Sequence, residues 1–446
     1  MTSNKISASQ RLFLLLLLGF GGICIAFSCQ SKKEIQQPLS VINTAHLDRL
    51  YEEIKMGDDT VGIIHIYTEY PDYHLAGDQD EGIACVDDAS RAAIFYLLQY
   101  RATGSVEYLH KAKRLLNFLL HMAAPNGYYY NFIWPDGSIN KDGKTSHAEA
   151  TWWAWRTLWA YGVAVDVLSD QPGDFLNEIL ERRRILMLKI VEDSTFQQTK
   201  LDTAMGYNIP TWLPKGSATD QAALVMVGLT YGIQEFPSEA MKNCLHHLAE
   251  GIMMMQVHQK DSLADGAFLS WENLWHAYGN MQSYALLFYT QTLHDSAITQ
   301  AALYEIDHFY PAVVKAGGLD HFWVKKNGDQ ISRYDSKAFN QIPYGRSPMI
   351  FAALQAHALT GETDKKYLDL ACQLAMWFFG ENPANAMMYD PATGRGYDGI
   401  NSPNEINKNS GAESTIESLM ALQALEMYKV YYDPVQKQFK QHITLK

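Results

Sequence analysis

The stretch ATWWAWRTLWAYGVAV (150–165) carries apolar side chains on nearly every face of a helix. It is followed by DFLNEILERRRILMLKIV (174–191), in which charged residues occupy one face and apolar residues the other. A helix that is apolar all round is buried on every side, whereas an amphipathic helix keeps one side in water. This pair therefore predicts one inner helix followed by one outer helix.

The same alternation continues along the chain from Thr44, where periodicity and helix-boundary residues indicate about twelve helices. Six alternations predict an all-α fold, an (α/α)6 toroid of six helical hairpins, and a closed barrel of about 400 residues can form one domain. The further apolar segments are 89–100, 220–232, 281–290, 348–359 and 414–425, and the further amphipathic segments are 106–120, 238–252 and 364–379.

Two loop segments favour β-hairpins. DHFWVKKNGDQISRY (320–334) turns at Asn-Gly, and YYYNFIWPDGSIN (128–140) turns at Pro-Asp-Gly. Each lies shortly before an inner helix, so we expect both at the end of the barrel where inner helices begin. Long loops on a rigid scaffold are where functional sites are built.

The N-terminus has the features of a secretory signal. Lys5 and Arg11 precede the apolar run LFLLLLLGFGGICIAFSC (12–29), and we assign residues 1–28 to the signal peptide. The end of this run, AFSC, resembles a bacterial lipobox with Ala26 at the position where leucine is commonest. The resemblance implies lipidation at Cys29, and cleavage by an ordinary signal peptidase is the alternative.

A lipidated Cys29 followed by a polar tether over residues 29–42 would leave residues 43–446 as the barrel domain. We therefore expect an exported protein, lipid-anchored in the bacterial cell envelope at the outer membrane, either periplasmic or surface-exposed. Its only predicted contact with the membrane is the N-terminal lipid.

Charge and cysteine usage exclude several classes of partner. The chain has 49 acidic and 36 basic residues, a net charge of −13, and loss of two basic residues with the signal gives −15. An acidic exterior repels nucleic acid. The mature cysteines are widely spaced and no zinc-type spacing occurs. We predict no metal, no cofactor and no nucleic-acid partner, and the sequence does not indicate an oligomeric state. The alternative for metal is calcium at GDQDEG (77–82), whose spaced acids could bind it although the full calcium-loop pattern is absent.

Every predicted inner helix begins with a charged or polar group beside small residues. In a toroid these N-terminal turns meet at one end, so we expect their side chains to face one cavity: Asp87, Asp88, Glu149, Asp220, His276, Arg346 and Glu413. Each has a structural alternative, since acids cap helices or complement the helix dipole, and His or Arg can form a structural ion pair.

Three tryptophans outside the helix interiors, Trp134, Trp212 and Trp275, could offer a ring face to a sugar. The alternative is that each anchors a loop to the core.

Two regions of the chain resemble a known group of proteins. WFFGENPANAMMYDPATGRGYDG (377–399) and NKNSGAEST (407–415) resemble the C-terminal part of bacterial six-hairpin glycosidase-like proteins, and VDDASRA (86–92) resembles their N-terminal helix start. The resemblance spans roughly residues 80–432 in architecture. It extends to glycoside hydrolase family nine, although that family's Asp-Ala-Gly-Asp motif is replaced here by Val-Asp-Asp.

The resemblance implies a glycoside hydrolase acting on a poly- or oligosaccharide with an acid and a base carboxyl, with inversion at the anomeric carbon. Glu413, entering an apolar helix, is the expected acid, Asp87 or Asp88 the base, and Glu149 the reserve acid. The implied substrate-binding residues are Trp134, Trp212, Trp275, His276, Arg346, Tyr397 and Asp398.

Two other functions stay open. One is a polysaccharide lyase acting on a uronate-containing glycan, in which His276, Tyr278, Asn280 and Arg346 would serve. The other is a catalytically silent glycan-binding lipoprotein, which would keep the aromatic residues and lose the acid–base pair.

Overall fold

A computed structural model describes residues 40–260, 262–361, 365–432 and 443–445. The predicted signal peptide and Cys29 therefore lie outside the described residues. Among the described residues, no helix is both long and apolar enough to span a bilayer.

Six helices with almost entirely buried residues form the inner ring. They are α2 (Val86–Thr103), α4 (Trp152–Leu168), α6 (Thr219–Gly232), α8 (Gln282–Leu293), α11 (Ser347–Leu359) and α13 (Ala412–Met427). Each packs against the next one in chain order, and α13 packs against α2. The ring is closed, as the alternation in the sequence predicts.

A second layer surrounds this ring. Its helices are α1 (Ala45–Leu50), α3 (Val106–His121), α5 (Asp174–Glu192), α7 (Glu239–Met254), α9 (Ser296–Tyr304), α10 (Tyr310–Lys315) and α12 (Lys366–Ala375). Five inner helices pack on the outer helix that follows them, and α13 packs on α1 from the start of the chain. The predicted (α/α)6 toroid is thereby confirmed, with its sixth hairpin formed between the two ends of the domain.

Residues 40–42 belong to the folded domain, which corrects the predicted end of the tether. Ser40 Oγ donates to Glu426 of α13, and Val41 is only 2% exposed. Further along, His46 Nε2 lies 2.9 Å from the Ser410 carbonyl oxygen, just before α13 begins. The segment therefore runs beside α13 from its C-terminal end toward its N-terminal end.

Short antiparallel strands fill the loops. The pairs are β1 (Tyr51–Met56) with β2 (Asp59–Ile64), β3 (Tyr67–Glu69) with β4 (His74–Ala76), β5 (Ala84–Cys85) with β6 (Phe132–Ile133), β7 (Leu201–Ala204) with β8 (Tyr207–Pro210), β12 (Tyr389–Asp390) with β13 (Arg395–Gly396), β14 (Gly399–Ser402) with β15 (Glu405–Asn407), and β16 (Val430–Tyr432) with β17 (Ile443–Leu445). A three-stranded sheet has the order β11 (Gln330–Lys337), β10 (His321–Asn327), β9 (Leu274–His276).

The two predicted hairpins have different outcomes. The hairpin over 320–334 is confirmed as β10–β11, with Asn327 opposite Gln330. The hairpin over 128–140 is wrong in its pairing, because β6 pairs with β5 from a distant loop and only the single bridge Ile133–Ile139 forms across the Pro-Asp-Gly turn. Pairing with β5 fixes this loop against the residues that enter α2.

Candidate active site

An open cavity of about 470 Å³ lies where α2 and α13 begin. Its acidic lining residues are Glu81, Asp87, Asp88, Asp398 and Glu413, and its amide-bearing ones are Asn131, Asn340, Asn401 and Asn407. Tyr67 and Cys85 also line it. The acids predicted at the starts of the first and last inner helices therefore meet in one cavity.

Arg91 holds these acids together. Its side chain is 3% exposed, and its Nη1 donates to Glu413 Oε2 at 3.0 Å and to Glu417 Oε1 at 3.1 Å. Its Nη2 donates to Asp88 Oδ1 at 2.7 Å and lies 3.4 Å from Asp87 Oδ2. Arg91 and Glu413 are 322 positions apart in the chain. One guanidinium therefore joins carboxyls from both ends of the inner ring.

A second buried guanidinium supports Asp87 from α4. Arg156 Nη1 forms a short ion pair with Asp87 Oδ2, and its Nη2 donates to the Tyr344 hydroxyl at 2.6 Å. Behind Arg91, Glu417 also accepts a short hydrogen bond from Ser347 at the start of α11. The cluster thus connects four inner helices: α2, α4, α11 and α13.

Four carboxyls in this cluster face two guanidinium groups, so full ionisation would leave excess negative charge, and the side chains of Asp87, Asp88 and Glu417 are at most 18% exposed. Burial raises the pKa of Asp88 to about 6, and the charges of Asp87 and Glu413 add to this while Arg91 opposes it. Burial also raises the pKa of Glu417. For Asp87, Arg156 and Arg91 outweigh burial and lower its pKa. Asp88 is therefore suited to hold a proton that Asp87 does not hold.

Glu413 does not sit in the apolar surroundings that motivated its assignment as the acid. Its side chain is 43% exposed and paired with Arg91. The apolar residues of α13 begin after it, so the carboxylate lies at the opening rather than inside the ring. The expectation of an apolar environment for Glu413 is wrong, and Asp88, with a side chain 8% exposed, has the buried environment instead.

Asp398 lines the cavity from the loop before α13. Its Oδ1 accepts from the Gly411 backbone N–H at 2.9 Å and from Ser414 Oγ at 2.8 Å, so it caps α13 from outside that helix. Burial raises the pKa of Asp398. Its neighbour Tyr397, which we also expected to bind substrate, is not among the lining residues within the described part of the chain.

The prediction that three tryptophans offer a ring face to a sugar is wrong for two of them. Trp212 is 5% exposed, stacks on His247 with 4.5 Å between centroids, and donates from Nε1 to the His247 carbonyl. Trp275 is 1% exposed and stacks on Phe322. Both rings are buried against neighbours, so neither can present a face to a ligand. Trp134 is half-buried near Gly82 and, among described residues, lies outside the cavity lining.

The other four residues predicted to face the shared cavity lie elsewhere, and none is among the lining residues in the described ranges. Glu149 is at the surface, 3.2 Å from Lys215 Nζ. His276 Nε2 is 3.1 Å from Asp220 Oδ2, and both are buried. Arg346 lies over the Trp377 ring, where burial lowers its pKa to about 10. These residues form structural pairs, so the predicted convergence holds for Asp87, Asp88 and Glu413 and fails for the rest.

Several residues of the site were not predicted from the sequence: Arg91, Arg156, Glu417, Tyr344, Tyr67 and Cys85. A signal was present for the first three, because each is a charged residue inside a helix predicted to be apolar all round. A charged group at such a position needs a charged partner.

Solved structures share this architecture. A sugar epimerase from a ruminal bacterium aligns over 86% of this chain and 95% of its own, at TM-score 0.57 and 14% identity. Cellobiose 2-epimerase from Spirochaeta thermophila DSM 6192 aligns over 82% and 91%, at 0.54 and 12%. A family 76 glycoside hydrolase from a bovine Bacteroides thetaiotaomicron strain aligns over 87% and 78%, at 0.54 and 12%.

No protein-family model matches the chain, and no curated protein matches it in sequence. At such low identities the structural likeness establishes the fold alone. The protein has the six-hairpin (α/α)6 toroid fold that these epimerases and this glycoside hydrolase share.

Proposed function

We propose that this protein is a carbohydrate-active enzyme, and more specifically a glycoside hydrolase acting on a neutral poly- or oligosaccharide. The observation that carries the proposal is the meeting of Asp88 and Glu413 at one guanidinium in an open cavity. The names of the proteins that share the fold, sugar epimerases and a glycoside hydrolase among them, support a sugar substrate.

Glycoside hydrolysis needs one protonated carboxyl and one ionised carboxylate. Asp88, with a pKa of about 6, is the proposed acid, and it gives its proton to the oxygen of the leaving sugar. Glu413 is the proposed base, because it is paired with Arg91 and open to water, whose proton it takes as that water attacks the anomeric carbon. Asp87, held by two guanidinium groups, keeps negative charge beside the developing oxocarbenium ion.

These roles reverse the assignment made from the sequence, which gave the acid to Glu413 and the base to Asp87 or Asp88. Inversion at the anomeric carbon remains our proposal. Proton NMR tests it by identifying which anomer of the product forms first. Retention would instead require one carboxylate to act as nucleophile.

The lining of the cavity suits an uncharged sugar. Tyr67 is 43% exposed, and its hydroxyl donates to Glu81 at 3.1 Å, which holds the ring in place for stacking on a sugar. Asn340, Asn401 and Asn407 are exposed or half-buried in the lining and offer donors and acceptors to hydroxyl groups. The fourth, Asn131, is buried and already bonded to the Asp87 backbone N–H and the Thr145 carbonyl. Among the described lining residues Arg91 is the one Lys or Arg, and carboxylates already occupy it. The carboxylate of a uronate would find no unpaired Lys or Arg among these described residues, which disfavours the polysaccharide lyase.

The test is a panel of neutral and uronic-acid glycans with reducing-end, ultraviolet and NMR readouts. We expect new reducing ends from a neutral glycan, and a fall in kcat of about 10²–10⁴-fold in both Asp88→Asn and Glu413→Gln. Glu239→Gln, which changes an exposed acid on α7, is the matched control and should retain activity.

Each other outcome points to another function. An ultraviolet-absorbing product would identify a lyase, and a change of sugar configuration without bond cleavage would identify an epimerase. Binding that Glu413→Gln leaves intact, without turnover by the unaltered protein, would identify a silent glycan-binding protein. Any of the three refutes the hydrolase.

We also propose export and lipid anchoring through Cys29, which rests on the sequence of the N-terminus. Expression of the full chain in a bacterium fed a labelled fatty acid should label the protein, and Cys29→Ala should abolish labelling. Equal labelling of both proteins would refute the anchor, and an unlabelled but processed protein would indicate ordinary signal cleavage.

A further inference from the structure

Cys85 occupies an unusual place at the candidate active site. It ends β5, serves as the N-cap of α2, is 5% exposed and is a free thiol in the cavity lining. Its Sγ accepts a hydrogen bond from the Asp88 backbone N–H at 3.3 Å. Ser, Thr, Asp and Asn are the preferred N-caps, and sulfur is a weak acceptor. Capping alone therefore does not explain a cysteine here.

The thiol also contacts the Asp88 side chain. Cys85 Sγ is 3.2 Å from Asp88 Oδ2, while Arg91 Nη2 is 2.7 Å from Asp88 Oδ1. Both carboxyl oxygens are thus held, one by an arginine and one by a thiol. An arginine only donates hydrogen bonds, whereas a thiol can either donate or accept. A proton on Asp88 must therefore reside on Oδ2, on the side of Cys85.

We propose that Cys85 is a positioning residue that fixes the Asp88 carboxyl and places its proton on Oδ2. This inference rests on the proposed role of Asp88 as the proton donor. When Asp88 donates, its Oδ2–H bond breaks, a new O–H bond forms at the glycosidic oxygen, and the thiol S–H turns to donate to the carboxylate left behind. After the products leave, Oδ2 takes a new proton from solvent, Glu413 releases to solvent the proton that it took from the attacking water, and the thiol turns away again.

The other charged or titratable groups around Asp88 are Asp87 and Arg91 on its own helix, Glu413 and Glu417 on α13, and Tyr67 on β3. A substitution at Cys85 removes none of these groups. The thiol hydrogen bond lowers the pKa of Asp88 against the raising effect of burial. Its loss should therefore raise the pKa of Asp88 further.

The experiment compares Cys85→Ala with Cys85→Ser. The Asp88 side-chain carboxyl is titrated by carbon-13 NMR, and its signal is identified by its absence from Asp88→Asn. We expect the pKa of Asp88 to rise by about half a unit in Cys85→Ala, and not to rise in Cys85→Ser, whose hydroxyl both caps and hydrogen-bonds. Unchanged titration in Cys85→Ala, or equal shifts in the two variants, would overturn the proposal.

Kinetics provide the second readout. In Cys85→Ala the alkaline limb of the kcat/KM profile should move to higher pH by the same amount, with kcat reduced several-fold. Cys244→Ala, at a buried free thiol on α7, is the control and should leave the profile in place. Melting curves verify folding, and Cys85→Ser retains the helix cap if the alanine variant unfolds.

Failure of this proposal and failure of the hydrolase assignment give different results. The NMR titration needs no substrate. If hydrolysis occurs but substitution of Cys85 leaves the pKa of Asp88 unchanged, the positioning role is refuted and the hydrolase proposal stands. If the pKa responds but no glycan is cleaved, the hydrolase is refuted while the coupling of thiol and carboxyl stands.

Discussion

At the scale of single residues, the decisive feature is charge on helices that are otherwise apolar. Arg91, Arg156 and Glu417 each interrupt an apolar helix and each is at most 3% exposed. A buried charge without a partner is costly, so each implies an opposite charge nearby. The sequence thus predicts a buried cluster of charged residues. It does not identify the partners, since Arg91 takes two of them from a helix more than 300 positions away.

The protonation of Asp88 leads to a prediction about pH. Its pKa of about 6 lies above the usual value, so the acid form is present below that pH and is lost as the pH rises through it. We expect kcat/KM on a neutral glycan to fall on the alkaline side with an apparent pKa near this value. Initial rates in constant ionic strength buffers measure it.

Since the carboxyls of the cluster titrate together, the midpoint of the alkaline limb of kcat/KM reports the cluster as a whole and not Asp88 by itself. Arg91→Lys, which keeps a charge but loses the fork of donors, should move the midpoint. A profile that stays flat over about pH 5–8 would contradict the assignment of Asp88 as the acid.

At the scale of elements, the helices agree with their sequence patterns to within a few residues, as the segment 106–120 against α3 (Val106–His121) illustrates. The period of apolar residues specifies a helix and its buried face directly. Strand pairing was less predictable, because β6 and β5 are both two residues long and distant in the chain. Short strands carry too little pattern to specify a partner.

Close packing between α4 and α6 depends on glycine. A Cβ added at Gly228 would lie 2.5 Å from Leu158 Cγ. In an exposed helix Gly→Ala is stabilising by about 1 kcal/mol. Here the clash should dominate, and we expect Gly228→Ala to lower the free energy of unfolding by about 1–3 kcal/mol, measured by denaturant titration.

The control for this substitution is Gly173→Ala, at a position with an extended φ of 167° and open space around an added Cβ. It should be close to neutral. Stabilisation by Gly228→Ala would show that the two inner helices are not packed as closely as described.

At the scale of the whole molecule, the ring closes where the last inner helix meets the first. The α13–α2 contact includes the ion pairs of Arg91 with Glu413 and Glu417, so the candidate active site is also part of the closure. The site and the fold therefore share their charged residues, and a substitution there affects both.

Arg91→Met should reveal this coupling. Without the guanidinium, buried carboxylates lose their common partner, and breaking such a pair costs about 3–5 kcal/mol. We expect a loss of this size in denaturant titrations at about neutral pH. Amide hydrogen exchange at the start of α13 should also become faster, since the helix loses its link to α2.

Lower pH should recover part of this loss, because protonated carboxyls do not need the arginine. Arg184→Met, at a side chain 45% exposed on α5, is the control and should change stability by less than about 0.5 kcal/mol. If Arg91→Met were as stable as Arg184→Met, the role of Arg91 in ring closure would be contradicted.

The sequence by itself determined the toroid, because inner and outer helices differ in how much of their surface is apolar, and that difference is written locally in each helix. It also determined that acids stand at helix starts. Only the tertiary structure decided which of these acids share a cavity and which one is buried enough to hold a proton. Both properties depend on contacts between residues distant in the chain, such as Arg91 with Glu413, and on burial that no local pattern records.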